Sequence, residues 1–592
     1  MPEPFLPSPA RTAGRVIVWA LLAAVVLAVI ATVWIGVRGA MAYDHLRTAQ
    51  QSAGEIAGQL DDIGAAAGAI DDLGAHTSAA RDLTSDPIWA GAEALPWIGP
   101  QLAAVADVAD AIDRVVTDAA APIAAVAGDF GTDAFRPVDG RIDTTVFAEL
   151  EAPSWRAADV AASARDDIAA VDRRPLLPIV EDAVDEVDGL LQQATTATDA
   201  LARASSLLPS MLGADGPRDH LLVTQNNAEW RTLGGIVGAA SVIRTNEGRI
   251  ALTGQLSSSD IASYDRPVLD LGEYETIYQL KPGRYLQNVT QVPDFSLTGR
   301  LAQEFAAREG QSVGSVISLD PVALSYLLEA TGPVQLPTGD ELTSDNAVQL
   351  LLNDVYLRYE DPRMQDAFFA SAAAAVFQAL TDGNVDPAKL VTALGRSGTE
   401  HRLLLWSADD AEQKLLAQTT LSGPVPATDD DTARLGVYMN DGTGSKMDYY
   451  VTPDVTLTWD GCGPGTTPRT LTLDVSLTNS APTDAATSLP RYITGGGAFG
   501  VPAGTARTVG EVYLPAGFDV VTSVNGNGTG FGGGMVGDRQ VLSYTMDLEP
   551  GETKTITIAV RADTAITDAE AWMTPTADAD LSPVLQSSCG GE

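Results

Sequence analysis

Two cysteines and four histidines are the whole supply of thiolate and imidazole metal ligands in a chain of 592 residues. His45, His76, His220 and His401 show no pair at metal-ligand spacing, which argues against a zinc hydrolase. Cys462 and Cys589 are far from any Cys-x-x-Cys pattern. They read as one disulfide, and so as an oxidising compartment; two unrelated thiols are the alternative. Basic residues are also scarce, 36 against 78 acidic, for a net charge of −42. A surface this anionic repels phosphate polymers, so a broad nucleic-acid interface is excluded. No Gly-x-Ser-x-Gly elbow or Ser-x-x-Lys in a plausible context supports a serine nucleophile. Gly532-Gly533-Gly534 is no phosphate loop, because no Lys-Ser/Thr pair comes after it.

Long hydrophobic runs are absent with one exception. Val16 to Val37 carries no charge. As a helix it would be roughly 33 Å long, enough to cross a hydrocarbon core of about 30 Å. Trp19 and Trp34 stand near its ends, where aromatic rings favour the interface. Arg11 and Arg15 before it balance Arg38 and Arg47 after it, so basic residues do not orient the span. Ala40-Met41-Ala42 resembles a signal-peptidase site, but the apolar run exceeds the usual core of about 7–15 residues. The expectation is therefore an uncleaved single-pass anchor: a cytoplasmic tail at 1–15, a span at 16–37, and the bulk of the chain outside the cell membrane.

Beyond the span the chain divides into three parts. Residues 44–206 repeat apolar side chains at helical spacing, as in Ile56, Leu60, Ile63, Ile70 and Leu73, with Asp pairs on the opposite side. Alanine fills the remainder, and prolines at 87, 96, 100, 122, 153, 175 and 178 divide the stretch into several helices of a stalk or bundle. Residues 215–425 alternate strands and helices, the pattern of an α/β sandwich. Leu221–Val223 reads as a short strand and Gln225–Arg231 as a polar turn. Asn246-Glu247-Gly248 reads as a hairpin turn. Helices are expected at Thr298–Glu309, Pro321–Ala330, from Ser344 with Ser344 or Asp345 as cap, and Asp361–Leu380, with a strand at Val313–Leu319. Residues 433–592 shift to Thr, Val and Gly with period-two alternation, an all-β sandwich of immunoglobulin-like size.

Two polar segments stand out, Gln225–Arg231 and Arg358–Gln365. In so acidic a chain, Arg231, Arg358 and Arg363 beside loop carboxylates can clamp phosphate oxygens and help hold a divalent metal. The plainer alternative is that these arginines close loops and fix domain packing. The order Gln225–Gly235, Pro293–Glu309, Val313–Leu319, Ala330-Thr331-Gly332-Pro333-Val334 and Asp361-Pro362-Arg363-Met364-Gln365 resembles the LytR–CpsA–Psr domain over residues 218–385. The whole arrangement, with its Gln-Asn-Asn-Ala-Glu…Arg…Gly-Gly run, also resembles an uncharacterised family (a domain of unknown function) of actinobacterial membrane proteins. LytR–CpsA–Psr proteins move glycopolymers from polyprenyl-pyrophosphate carriers to peptidoglycan with Mg²⁺. That resemblance implies phosphate-gripping roles for Arg231, Arg358 and Arg363, and places Asn227, Glu229 or Asp361 near the metal. Two departures oppose it: Asn stands where the first Asp is expected, and Asp260 lacks its preceding arginine. Losing a bidentate donor weakens pyrophosphate chemistry. The sequence thus favours a non-catalytic scaffold or binding protein of the cell envelope over a glycopolymer phosphotransferase.

Overall fold

A computed structural model describes residues 8–57, 63–130, 140–258, 261–383, 385–460, 469–562, 566 and 568–587. Cys462, Cys589 and Asp260 lie outside the described residues. The chain forms two compact units: Met1–Phe135 with Thr144–Pro209, and Arg136–Asp143 with Ser210–Glu592.

The first unit is helical. Helix α1 (Ser8–Ala57) contains the apolar run and continues well past it, because no proline interrupts the alanine-rich sequence beyond. It is long and apolar enough to cross a membrane. Helix α2 (Ile63–Thr84) returns antiparallel along it: Leu73 packs near Ala49, Ala80 near Ala42, and the Leu83 carbonyl accepts from Arg38 at 2.9 Å. A short α3 (Pro87–Ala92) leads into α4 (Gly99–Arg114), and then come α5 (Ala121–Phe130), α6 (Thr145–Ala169) and α7 (Pro178–Met211). Small side chains such as Ala104, Ala111 and Ala164 bring α4 and α6 close, with Ile168, Val184 and Leu191 filling the core. Two prolines expected to divide helices do not. Between α4 and α5 the backbone widens into a π turn, Val115–Ala120, which accommodates Pro122 without breaking the rod. Pro153 lies inside α6, where buried Ala157, Ala161 and Ala164 hold the helix together across the lost hydrogen bond.

The second unit opens with a five-stranded sheet of order β3-β2-β1-β4-β7. Strands β1 (Arg218–Arg231), β2 (Gly234–Asn246) and β3 (Arg249–Ser257) form an antiparallel meander. The β2–β3 hairpin turns on Glu247 (φ 49°) and Gly248 (φ 79°), two left-handed residues that match strand twist. Strand β4 (Ser315–Leu319) runs parallel to β1, and β7 (Leu403–Ser407) is antiparallel to β4. Helices α8 (Phe295–Arg308) and α9 (Pro321–Thr331) flank β4, each started by an aspartate, Asp294 and Asp320, whose carboxylate accepts first-turn amides. A two-residue ribbon, β5 (Val334–Gln335) with β6 (Glu341–Leu342), precedes a helical stretch from Ala347 to Arg358. Neither Ser344 nor Asp345 caps that stretch; Thr343 and Asn346 exchange hydrogen bonds in the preceding turn instead. Asp361 caps α10 (Pro362–Thr381), and α11 (Pro387–Thr399) and α12 (Asp410–Leu416) complete the layer.

Two five-stranded sheets close the chain. One has the order β12-β15-β10-β9-β17, the other β13-β14-β11-β8-β16. Strict alternation along β9 (Val451–Asp460) and β10 (Arg469–Asn479) sends Val455, Leu457, Leu471 and Val475 inward. They meet Leu542, Tyr544 and Met546 of β14 (Arg539–Leu548) across the sandwich. The remaining strands are β8 (Thr432–Asp441), β11 (Ala506–Tyr513), β12 (Asp519–Asn525), β13 (Gly532–Val536), β15 (Thr553–Ala562), β16 (Asp568–Met573) and β17 (Val584–Ser587). Each sheet ends on a parallel pair, β16 on β8 and β17 on β9. Trp230 and Tyr356 of the α/β layer belong to the sandwich's own apolar cluster, so the two layers share a core.

Candidate functional site: a buried polar seam

The segment Gln225–Arg231 is the end of β1, not a turn. Register shifts at Thr224/Gln225 and at Asn226/Trp230 let it follow the sheet, and Gln225 and Asn227 through Arg231 are all buried. Polar side chains occupy these interior positions because each finds a partner from a distant part of the unit. Gln225 donates to Ser318 Oγ at 2.7 Å and accepts from the Gly235 amide at 2.7 Å. Asn226 donates to the Tyr356 hydroxyl at 2.5 Å. Asn227 donates to Asp320 Oδ2 at 3.0 Å and to the Pro575 carbonyl at 2.9 Å. Glu229 forms an ion pair with Lys446, whose ammonium also lies 5.0 Å from the ring centres of Tyr356 and Tyr492. The Trp230 amide donates to Asp448 Oδ2 at 2.8 Å. Arg231 donates to Asn288 Oδ1 at 2.9 Å and to the Trp230 carbonyl at 2.6 Å.

The seam extends on both sides. Thr232 and Asn440 exchange two hydrogen bonds, and Asn440 donates onward to Glu511 Oε2 at 2.9 Å. Arg402, 4% exposed, donates to Asp320 Oδ2 at 2.8 Å, to Glu400 and to the carbonyls of Thr576 and Asp578. Burial shapes the charges. It pushes the Glu511 carboxyl up to about 8 and lifts Asp448 well above the usual carboxylate range, helped there by Asp441. It pulls Lys446 down to about 7 against the pull of Asp448. Burial would lower Arg402 too, but Asp320 and Glu400 hold it above its ordinary value.

The residues singled out from sequence are not gathered at one point. Arg231 is interior. Arg358 is half-exposed and pairs with Asp340 at 2.7 Å. Arg363 is an exposed residue in the first turn of α10, its amide donating to Asp361 Oδ1 at 3.0 Å. Asn227 is bound to Asp320, Glu229 to Lys446, and Asp361 serves as a helix cap. Among the described residues no group of three or more His, Cys, Asp or Glu side chains is placed to hold a metal. The small cavity lined by Thr232, Leu233, His401, Tyr438, Trp572 and Pro575 has room for little more than a water, against the several hundred Å³ of a usual ligand site.

Sequence reasoning missed Lys446, Asp448, Asn440, Glu511, Asp320 and Arg402. Lys446 alone left a signal, as one of five lysines in the chain, set beside an apolar strand. One pair of histidines meets in space although not in sequence. His45 and His76, 31 residues apart, stand with their Nδ1 atoms 3.0 Å apart across α1 and α2. Antiparallel helix packing brings them together, and no local spacing announces it. His220 is a satisfied interior residue between Ser315 and Thr245.

No curated protein and no solved structure matches the chain. Residues 215–356 match the family described as "Protein of unknown function (DUF4012)". The matched stretch begins just before β1 and ends on Tyr356, the residue that receives the Asn226 hydrogen bond, so it includes the polar run of β1.

Proposed function

We propose that this protein is a membrane-anchored, extracytoplasmic scaffold or binding protein of the cell envelope, without a catalytic centre in its α/β layer. One observation carries the reading: the polar run of β1 is spent on internal partners that lock the α/β layer to the β-sandwich. A phosphate-binding site must leave donors free toward solvent, whereas the guanidinium of Arg231 is buried against Asn288 and a carbonyl. Asn227 fits this role better than an aspartate would. Its amide nitrogen donates to a carboxylate and a carbonyl, which no carboxylate can do.

The LytR–CpsA–Psr likeness is then a likeness of layout, and Mg²⁺-dependent glycopolymer transfer is the competing outcome. An exterior location draws support from the cysteines. Strand β17 lies parallel to β9 with Ser587 opposite Trp459, and Cys589 and Cys462 come two and three residues later in sequence. A disulfide there would tether the edge strand β17, in keeping with an oxidising compartment.

The test is lipid analysis of the full-length protein purified from membranes, beside an Arg358→Ala variant. The scaffold reading predicts no polyprenyl phosphate in the wild-type protein above the variant. Enrichment lost on removing Arg358 would favour the transferase reading.

A further inference from the structure

The end of the helical unit nearest the apolar run is built around Asp86. Its carboxylate caps α3, accepts from the Trp34 indole at 3.3 Å and pairs with Arg38 at 2.8 Å. Trp89 then packs against Ile35 and Leu102, its indole donating to the Leu102 carbonyl at 3.1 Å. These contacts fix α3 and the start of α4 at the level of Trp34–Arg38, where the uncharged run of α1 ends.

At this level two loops meet. Gln101 donates to the Pro175 carbonyl at 2.7 Å and accepts from the Leu177 amide at 2.9 Å, joining segment 94–101 to segment 175–180. Neither segment contains an ionisable residue, in a chain with 78 carboxylates. Leu176 turns into the core, but five of their large apolar side chains point outward: Leu95, Trp97, Ile98, Leu177 and Ile179 are exposed, Trp97 at 88% and Ile179 at 78%. Trp97 also holds a left-handed backbone (φ 75°), costly for a bulky residue, in a turn that presents its ring to the outside. Patches of this kind mark an interaction surface. Continuity with the membrane segment identifies the partner, since aromatic and aliphatic side chains beside a span enter the headgroup and upper acyl region.

We infer that Leu95, Trp97, Ile98, Leu177 and Ile179 insert into the lipid interface and seat the helical unit on the bilayer beside its own anchor. The inference rests on reading α1 as a membrane span. Seating restrains the bundle against tilting about a single helix.

The test uses the full-length protein in nanodiscs of phosphatidylethanolamine and phosphatidylglycerol. An environment-sensitive fluorophore is introduced by amber suppression at position 27, 97, 179 or 190, and quenched by lipids carrying shallow or deep doxyl groups. Positions 97 and 179 should emit to the blue of position 190 and be quenched several-fold more strongly by the shallow probe. Position 27 should respond to the deep one. If position 27 is quenched while 97 and 179 behave like 190, the seating is wrong and the anchor stands. Blue-shifted emission at 97 and 179 without lipid quenching places protein over the patch, and also overturns it. No quenching at position 27 removes the anchor, and the inference with it.

Discussion

The side-chain amide of Asn227 bridges the Asp320 carboxylate at 3.0 Å and the Pro575 carbonyl at 2.9 Å. A single residue near the end of β1 thus holds the cap of α9 and the chain just beyond β16. Replacing it by aspartate turns a donor into a second buried carboxylate facing the first. Asn227→Asp should lower stability at pH 7 by about 2–4 kcal/mol, and part of the loss should return at pH 5 as one carboxyl takes up a proton. Urea denaturation at the two pH values checks this. A variant as stable as the parent, or one restored by Mg²⁺, would speak for a metal site.

Arg402 and Arg358 give a contrast within one unit. Arg402→Met leaves the fully interior Asp320 without its cation, while Glu400 keeps Arg396. The expected loss is about 3–5 kcal/mol. Arg358→Ala breaks a half-exposed pair with Asp340 and should cost about 0–1 kcal/mol. Parallel thermal melts of the two variants distinguish a structural cation from a spare one. Equal effects would contradict the assignment.

Glu511 predicts a pH dependence. Its folded-state value, about 8, lies above its ordinary 4.5, so the native state holds the proton more tightly. The stabilisation is complete below pH 4.5 and is lost as pH rises through 8; Asp448 acts in the same direction. Lys446, pulled down to about 7, has the opposite sign, and its contribution makes stability rise from there toward 10.5. Glu511→Gln keeps an acceptor for Asn440 and should flatten the decline between pH 5 and 8, as read from denaturation midpoints. An unchanged slope would show that Glu511 ionises freely in the folded protein.

A peptide map without reductant should contain one cross-linked species joining Cys462 and Cys589. Reduction should loosen β17, a strand at the edge of its sheet paired with β9, and cost about 2–4 kcal/mol. Two separately alkylated cysteines in protein isolated under oxidising conditions would remove the disulfide and one support for an exterior location.

Much of the fold was legible because it is local. Alternation marks β9 and β10, the Asn246-Glu247-Gly248 turn marks its hairpin, and Asp361 stands where the helix expected from it begins, whereas the Asp294 cap starts α8 at Phe295, three residues before the expected Thr298. The end of β1 was not, because a polar run reads as a turn whenever its partners are out of sight. Asn227 meets Pro575 and Trp230 meets Asp448, contacts spanning hundreds of residues that no window along the chain contains. Interior polarity then looks like surface polarity. The same blindness grouped Arg231 with Arg358 and Arg363 as like residues in polar segments, although one is buried and the other two are on the outside.

Hydrogen exchange of segment 225–235 in the intact protein addresses the seam most directly. The amides of Trp230 and Thr232 donate to Asp448 and Asn440, so they should exchange as slowly as those of β8 and β10, and adding a polyprenyl phosphate with Mg²⁺ should leave them unchanged. Rapid exchange that slows when that lipid is added would mean that this stretch of β1 is an open binding site and not an internal lock.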